Sequence, residues 1–264
     1  MSTAIISNLP QELPHELGML KVRESASTSA TEASDTSERT DGVDESYKVK
    51  TKALYNIPLR RVNPSFGVVN VANSTTDLKS MTIKERRDVG ANVTVLFAVR
   101  TPGCAGCREH GLQLSELAKQ DKKIALVGAV KEAGVDDQAL VDFYEEYFHH
   151  PMYKDDHWKI FHAMGGKKVC KFQLMKRAYS LFRRTRGKGI ESNVGCGDFW
   201  TKGGVMIFNK KGELKYTQYE RFGKEFDMDA IRKAIQQIRS EQRKQMDSSA
   251  TTHTSSATQH AWDW

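Results

Sequence analysis

Cysteine is scarce in this chain, with four in 264 residues. So few cannot build a disulfide framework, and they fit a reducing compartment, most simply the cytoplasm. Long apolar runs are absent too. None approaches the ~18 residues a membrane-spanning helix needs. The first twenty residues hold no Lys or Arg. They lack the charged start and apolar core of a secretory signal, and the Arg-rich look of a mitochondrial presequence. Acidic residues are missing from 167–190, where nine Lys or Arg stand among Phe172, Leu174, Met175, Tyr179, Leu181 and Phe182. The formal net charge is +7, but residues 1–50 hold five cations and nine acids, a net of −4, which leaves +11 on the rest.

Residues 1–50 carry too little apolar surface to offset the entropy of ordering, so they read as a disordered tail. Leu9, Leu13, Leu17 and Leu20 allow one short amphipathic helix there. Residues 244–264 are Ser/Thr/His-rich and read as a second tail, with Trp262 and Trp264 unexplained. The segment 51–91 reads as an extension of one strand and one short helix, and 92–243 as the domain proper.

Ten residues organise that domain: Arg100-Thr101-Pro102-Gly103-Cys104-Ala105-Gly106-Cys107-Arg108-Glu109. The apolar, β-branched run Val93–Val99 leads into them and predicts a strand buried on both faces. Leu112, Leu114, Leu117 and Ala118 follow at helical spacing. The Cys-x-x-Cys pair therefore sits in a strand-to-helix turn. A helix N-terminus has free N–H groups and roughly half a positive charge, which favours a thiolate over a thiol. Such sites lower a cysteine from ~8.5 to roughly 3.5–7.5. Cys104 is expected to be the exposed nucleophile and Cys107, one turn on, the resolving thiol. Structural zinc would need a second close ligand pair. Cys170 and Cys196 stand 26 positions apart and supply none, so no bound metal is expected.

The rest of the chain alternates. Ser65–Val71 predicts a strand with its turn at Asn73-Ser74. Thr82 is the expected N-cap of a short helix, with Glu85 completing a capping box. Ile124–Val130 is a second buried strand, and Asp136 or Asp137 opens a helix to about Phe148. Met152-Tyr153 makes a brief strand, and Asp155-Asp156 opens a helix through Trp158, Ile160, Phe161 and Met164, stopped by Gly165-Gly166. A basic helical insertion, 167–190, and a Gly-rich loop follow. Val205–Phe208 and Leu214–Tyr219 form a hairpin about Asn209–Gly212. A last helix places Met228, Ile231, Ile235 and Ile238 on one face. An α/β protein results, with a mixed central sheet flanked by helices and the dithiol after the first core strand: the thioredoxin-like arrangement.

Val99–Glu109, Gly197–Phe208 and the turn Lys211-Gly212-Glu213-Leu214 together resemble the peroxiredoxin-like 2 family, within the AhpC/TSA-type thioredoxin-like proteins. The resemblance covers about Asn92–Arg239, and the basic, aromatic-rich insertion looks like that family's as well. It implies a cytosolic thioredoxin-fold protein with antioxidant or thiol-dependent reductase activity at Cys104 and Cys107. Some members reduce an endoperoxide lipid, and others are redox regulators. Thr101 matches the threonine three residues before the reactive cysteine of ordinary peroxiredoxins, whereas Phe97 replaces their proline. Gly203 stands where thioredoxins place a proline opposite the dithiol. Arg100, Arg108, Arg183 and Arg184 are the candidates for a peroxide-orienting cation.

The expected activity is thus a peroxiredoxin-like oxidoreductase that reduces a peroxide-type or disulfide substrate. It binds no cofactor and is restored by an external dithiol or glutathione. The competing reading is a non-catalytic redox sensor whose Cys104–Cys107 disulfide switches a partner surface. The insertion shows no nucleic-acid-binding motif, which disfavours nucleic acid as a partner. Its apolar residues are expected to wall the thiol pocket while its cations select substrate.

Overall fold

A computed structural model describes residues 51–65, 67–131, 133, 137–166, 171–193 and 198–257. The readings of residues 1–50, Cys170, Cys196, Trp262 and Trp264 lie outside these. The elements in chain order are α1 (Thr51–Tyr55), β1 (Pro58–Ser65), β2 (Val68–Asp77), α2 (Leu78–Asp88), β3 (Val93–Ala98), α3 (Ala105–Gln120) and β4 (Ile124–Val130). Then come α4 (Asp137–Asp142), a π-helical turn Phe143–Tyr147, β5 (Met152–Lys154), α5 (Lys159–Ala163), α6 (Lys171–Gly187), β6 (Gly204–Phe208), β7 (Leu214–Tyr219) and α7 (Met228–Ala257).

The seven strands form one sheet in the order β2-β1-β5-β4-β3-β6-β7. β3 pairs in parallel with β4, Val95 opposite Leu126, and antiparallel with β6, Val95 opposite Ile207. Each central strand alternates its side chains between two cores, because a strand's side chains point to opposite faces in turn. Val93, Val95 and Phe97 pack with Leu114 and Leu117 of α3 and Ile231, Ile235 and Ile238 of α7. Leu96 and Ala98 pack on the other side with Leu78, Met81, Ile160 and Phe161. Every residue of β3 and β4 is buried, which matches their continuous apolar runs. Burying each large apolar side chain contributes roughly 1.5–3 kcal/mol, so these two layers are the main source of stability. The fold is thioredoxin-like, with the dithiol turn at the C-terminal end of the central strand.

Several sequence expectations need correction. Residues 51–91 hold two strands and two helices, and β1 and β2 extend the same sheet at one edge. Asn73 and Ser74 lie inside β2 rather than in a turn. They are exposed on an edge strand, where one solvated face accepts polar residues. The cap of α2 is Asp77, whose carboxylate accepts the Ser80 N–H at 2.8 Å. Thr82 is buried one turn inside and returns its hydroxyl to the Lys79 carbonyl. α7 runs on to Ala257, past residue 243 where composition suggested a disordered tail. A formed helix propagates at little cost once nucleated. α5 begins only at Lys159, after Trp158 at φ 56°, and the Asp155 carboxylate reaches forward to accept the Ile160 N–H at 2.6 Å.

Candidate active site

β3 ends at Ala98, and Val99 still donates to the Ala129 carbonyl at 2.8 Å. The chain then turns through Arg100–Gly103 and starts α3, with Cys104 as its N-cap residue in extended conformation. The Cys104 N–H is bonded to the Thr101 carbonyl at 3.3 Å, and the Arg108 N–H to the Cys104 carbonyl at 3.0 Å. Thr101 therefore shapes the turn through its backbone, and its side chain is buried. The sulfur of Cys104 thus lies where α3 presents its unpaired N–H groups.

Arg100 decides the electrostatics. Its Nη2 donates to the Cys104 Sγ at 2.9 Å. The same guanidinium pairs with Glu220, just after β7, at 3.2 Å, and lies 4.8 Å from the Phe222 ring centroid. Arg100, Glu220 and Phe222 are all buried. The Cys107 thiol donates a hydrogen bond to the Cys104 sulfur, and this bond is the largest cause lowering the Cys104 pKa. The Arg100 charge adds to it, while burial and Glu220 oppose. The balance brings Cys104 down to about 6. Cys107 moves the other way, pushed well above its ordinary value by that same bond, by burial and by Glu220. The two shifts favour the thiolate at Cys104 and the thiol at Cys107.

Cys104 is nevertheless buried, 7% exposed against 1% for Cys107. This corrects the expectation of an exposed nucleophile. α6 packs beside the dithiol turn: a side chain on Gly106 would start 3.5 Å from the Leu181 methyl carbons and 3.8 Å from the Cys104 Sγ. Leu181 also packs on Phe222. Tyr179 and Phe182, expected to wall the thiol pocket, are 72% and 56% exposed on the outward side of α6. Phe172 and Met175 lie in α6, but their side chains are outside the described residues.

Of the four candidate cations, Arg100 alone meets the thiolate among the described contacts. Arg108 is buried and donates from Nε to the Pro102 carbonyl at 3.2 Å and from Nη1 to the Glu191 carbonyl at 3.0 Å. It braces the loop before Cys104. Arg184 holds the buried Glu109 of α3, with Nη2–Oε2 at 2.6 Å. Arg183 is exposed beside Tyr179 and Ser180. Gly203 does face the dithiol loop. A side chain there would start 2.1 Å from the Ala98 carbonyl oxygen and 3.1 Å from the Arg100 nitrogen. The position thus contributes close backbone approach, which glycine alone provides.

Two buried residues at the site escaped the sequence reading. Glu220 belongs to no motif; its one signal is an acid directly after a strand that enters the core. His110 stands three residues after Cys107. Its ring stacks on Phe226 at 3.9 Å, and its Nε2 lies 3.0 Å from the Lys224 carbonyl oxygen. Burial lowers its pKa, so it is neutral at pH 7. Among the described residues no cluster of three or more His, Cys, Asp or Glu could hold a metal ion. No helix among them is long and apolar enough to cross a membrane.

A family model described as AhpC/TSA antioxidant enzyme matches residues 113–221. Peroxiredoxin-like 2A of Xenopus tropicalis is 28% identical over 159 residues, 59% of this chain and 68% of that protein. The chain is thus similar to peroxiredoxin-like proteins of the AhpC/TSA type. Prostamide/prostaglandin F synthase of Danio rerio is 28% identical over 148 residues, 52% of this chain and 71% of that protein. A solved structure of the Xanthomonas campestris bacterioferritin comigratory protein superposes with a TM-score of 0.43 at 11% identity. It covers 72% of this chain and 94% of that one. The matched residues begin beyond the cysteine pair, so the assignment of the dithiol rests on the geometry.

Proposed function

We propose that the protein is a thiol-dependent oxidoreductase that reduces a peroxide-type or disulfide substrate at Cys104 and Cys107. One observation carries this reading: the Cys104 sulfur lies 2.9 Å from the Arg100 guanidinium at the start of α3, beside a second thiol held protonated. With a hydroperoxide, the Cys104 thiolate attacks one oxygen and the O–O bond breaks. The alkoxide takes up a proton and leaves as the alcohol, and Cys104 becomes a sulfenic acid. The Cys107 sulfur then attacks the Cys104 sulfur, and water leaves with the Cys107 proton. An external dithiol or glutathione supplies the two electrons that reopen the Cys104–Cys107 disulfide. With a disulfide substrate, the thiolate displaces one thiol, and Cys107 displaces the second from the mixed disulfide. Arg100 serves both routes by favouring the thiolate.

The test is NADPH-coupled turnover with thioredoxin or glutathione as donor, over a panel of peroxides and disulfides. Many turnovers per chain are expected, with complete loss in Cys104→Ser. In Cys107→Ser a sulfenic acid or mixed disulfide should accumulate at Cys104 after one turnover. Oxidation that stops at one disulfide per chain with every donor would instead make the protein a redox sensor.

A further inference from the structure

We propose that Glu220 sets the redox poise of the Cys104–Cys107 couple by keeping Arg100 charge-matched after the thiolate has been consumed. The proposal rests on the dithiol reading and extends it to a residue that never meets substrate. Three buried groups stand in a row: the Glu220 Oε1 is 3.2 Å from the Arg100 Nη2, which is 2.9 Å from the Cys104 Sγ. The carboxylate is held at its other end as well, because Oε2 accepts the Gly203 N–H at 3.3 Å. The guanidinium lies against Phe222 and is 1% exposed, so water does little to compensate its charge.

Oxidation changes the charge in that row. Cys104 thiolate and Cys107 thiol become the disulfide, one proton and two electrons, the electrons passing to the peroxide or disulfide substrate. Before the step the row holds thiolate, guanidinium and carboxylate, a net of −1. After it, guanidinium and carboxylate remain as a neutral pair. Without the carboxylate the row would start neutral and end with a buried, unpaired arginine, an arrangement several kcal/mol less favourable in proteins. Glu220 therefore favours the oxidised form and makes the dithiol a stronger reductant. It is a positioning residue that acts through Arg100. The other titratable group acting on Cys104 among the described residues is Cys107 of α3. Burial lowers the pKa of His110, which lies near Glu220 and Arg100, and so favours its neutral form.

The experiment uses the full chain with Glu220→Gln, which keeps the shape and an acceptor oxygen but removes the charge. Redox titration against glutathione, read by mass after alkylation, should show the variant at least tenfold more easily reduced, a rise of about 30 mV for a two-electron couple. The pH of half-maximal Cys104 alkylation should fall by about one unit. A potential that is unchanged or lower, or a Cys104 that titrates higher, overturns the proposal and leaves Glu220 as an anchor for Arg100. Should Glu220→Gln fail to fold, Glu220→Asp withdraws the charge by one methylene. It is expected to move both readouts in the same directions by about threefold, and no movement overturns the proposal. If the wild-type protein forms no Cys104–Cys107 disulfide, the dithiol reading fails on its own. The alkylation profile then still reads Glu220, and a shift other than downward overturns its role.

Discussion

The low pKa of Cys104 has causes that lie within a few ångströms of its sulfur. The Cys107 hydrogen bond and the Arg100 charge bring it to about 6 against burial and Glu220. Alkylation by iodoacetamide should therefore rise with pH to half its maximum near 6, with Cys107 labelled far more slowly. Arg100→Gln removes the positive charge and should carry that midpoint up by one unit or more while Cys107 stays slow. An unchanged midpoint would mean the helix N-terminus and the Cys107 bond suffice. The place of the cysteine pair was legible in the sequence because a Cys-x-x-Cys after a buried strand and before a helix has one place to go. The cation was not. Arg100, Arg108 and Arg184 look alike along the chain, and only the tertiary fold sends the second to the Pro102 carbonyl and the third to Glu109. Glu220 was invisible because its meaning depends on β7 returning beside β6, far from the cysteines in sequence.

At the scale of elements, the basic helix α6 is fastened to the redox helix by ions. Glu109 of α3, 2% exposed, takes Arg184 at 2.6 Å and Lys188 at 2.7 Å. Burial works against its charged form, but hydrogen bonds from Arg184 and Lys188 outweigh this and hold it at about 2. An unfolded Glu titrates near ~4.3. Its folded value is depressed, so its stabilising share is complete above about 4.3 and is lost as pH falls towards 2. Glu109→Gln should cost about 1.5–3 kcal/mol, nearer the lower figure because Arg184 and Lys188 are partly solvated. It should also flatten the fall in stability between about pH 4 and 2, read by urea unfolding at several pH values. A loss of stability with an unchanged pH profile would place the acid sensitivity elsewhere. A helical insertion was expected at 167–190, but the use of its cations was not readable. The partner acid hides in the redox motif itself, as the last residue of Cys-Arg-Glu.

The whole molecule depends on two backbones meeting at Gly203. The sheet order brings the start of β6 against the end of β3, and no side chain fits between them. Gly203→Ala would press a methyl group into the Ala98 carbonyl and should destabilise the fold by about 1–3 kcal/mol, as overpacking commonly does. The same shift moves Arg100, so peroxide turnover should fall more than the stability loss explains, measured on the fraction still folded. A stable, fully active Gly203→Ala protein would show that the strand can slide aside. The parallel core of β3 and β4 and the β6–β7 hairpin were legible because their apolar runs and turn residues agree. The β1–β2 edge was misread because half-solvated strands mix polar residues that also mark turns. The burial of Cys104 has a consequence of its own. A sulfur so little exposed meets an oxidant only as often as its surroundings open. With abundant oxidant, turnover would then keep time with that opening rather than with the strength of the peroxide bond.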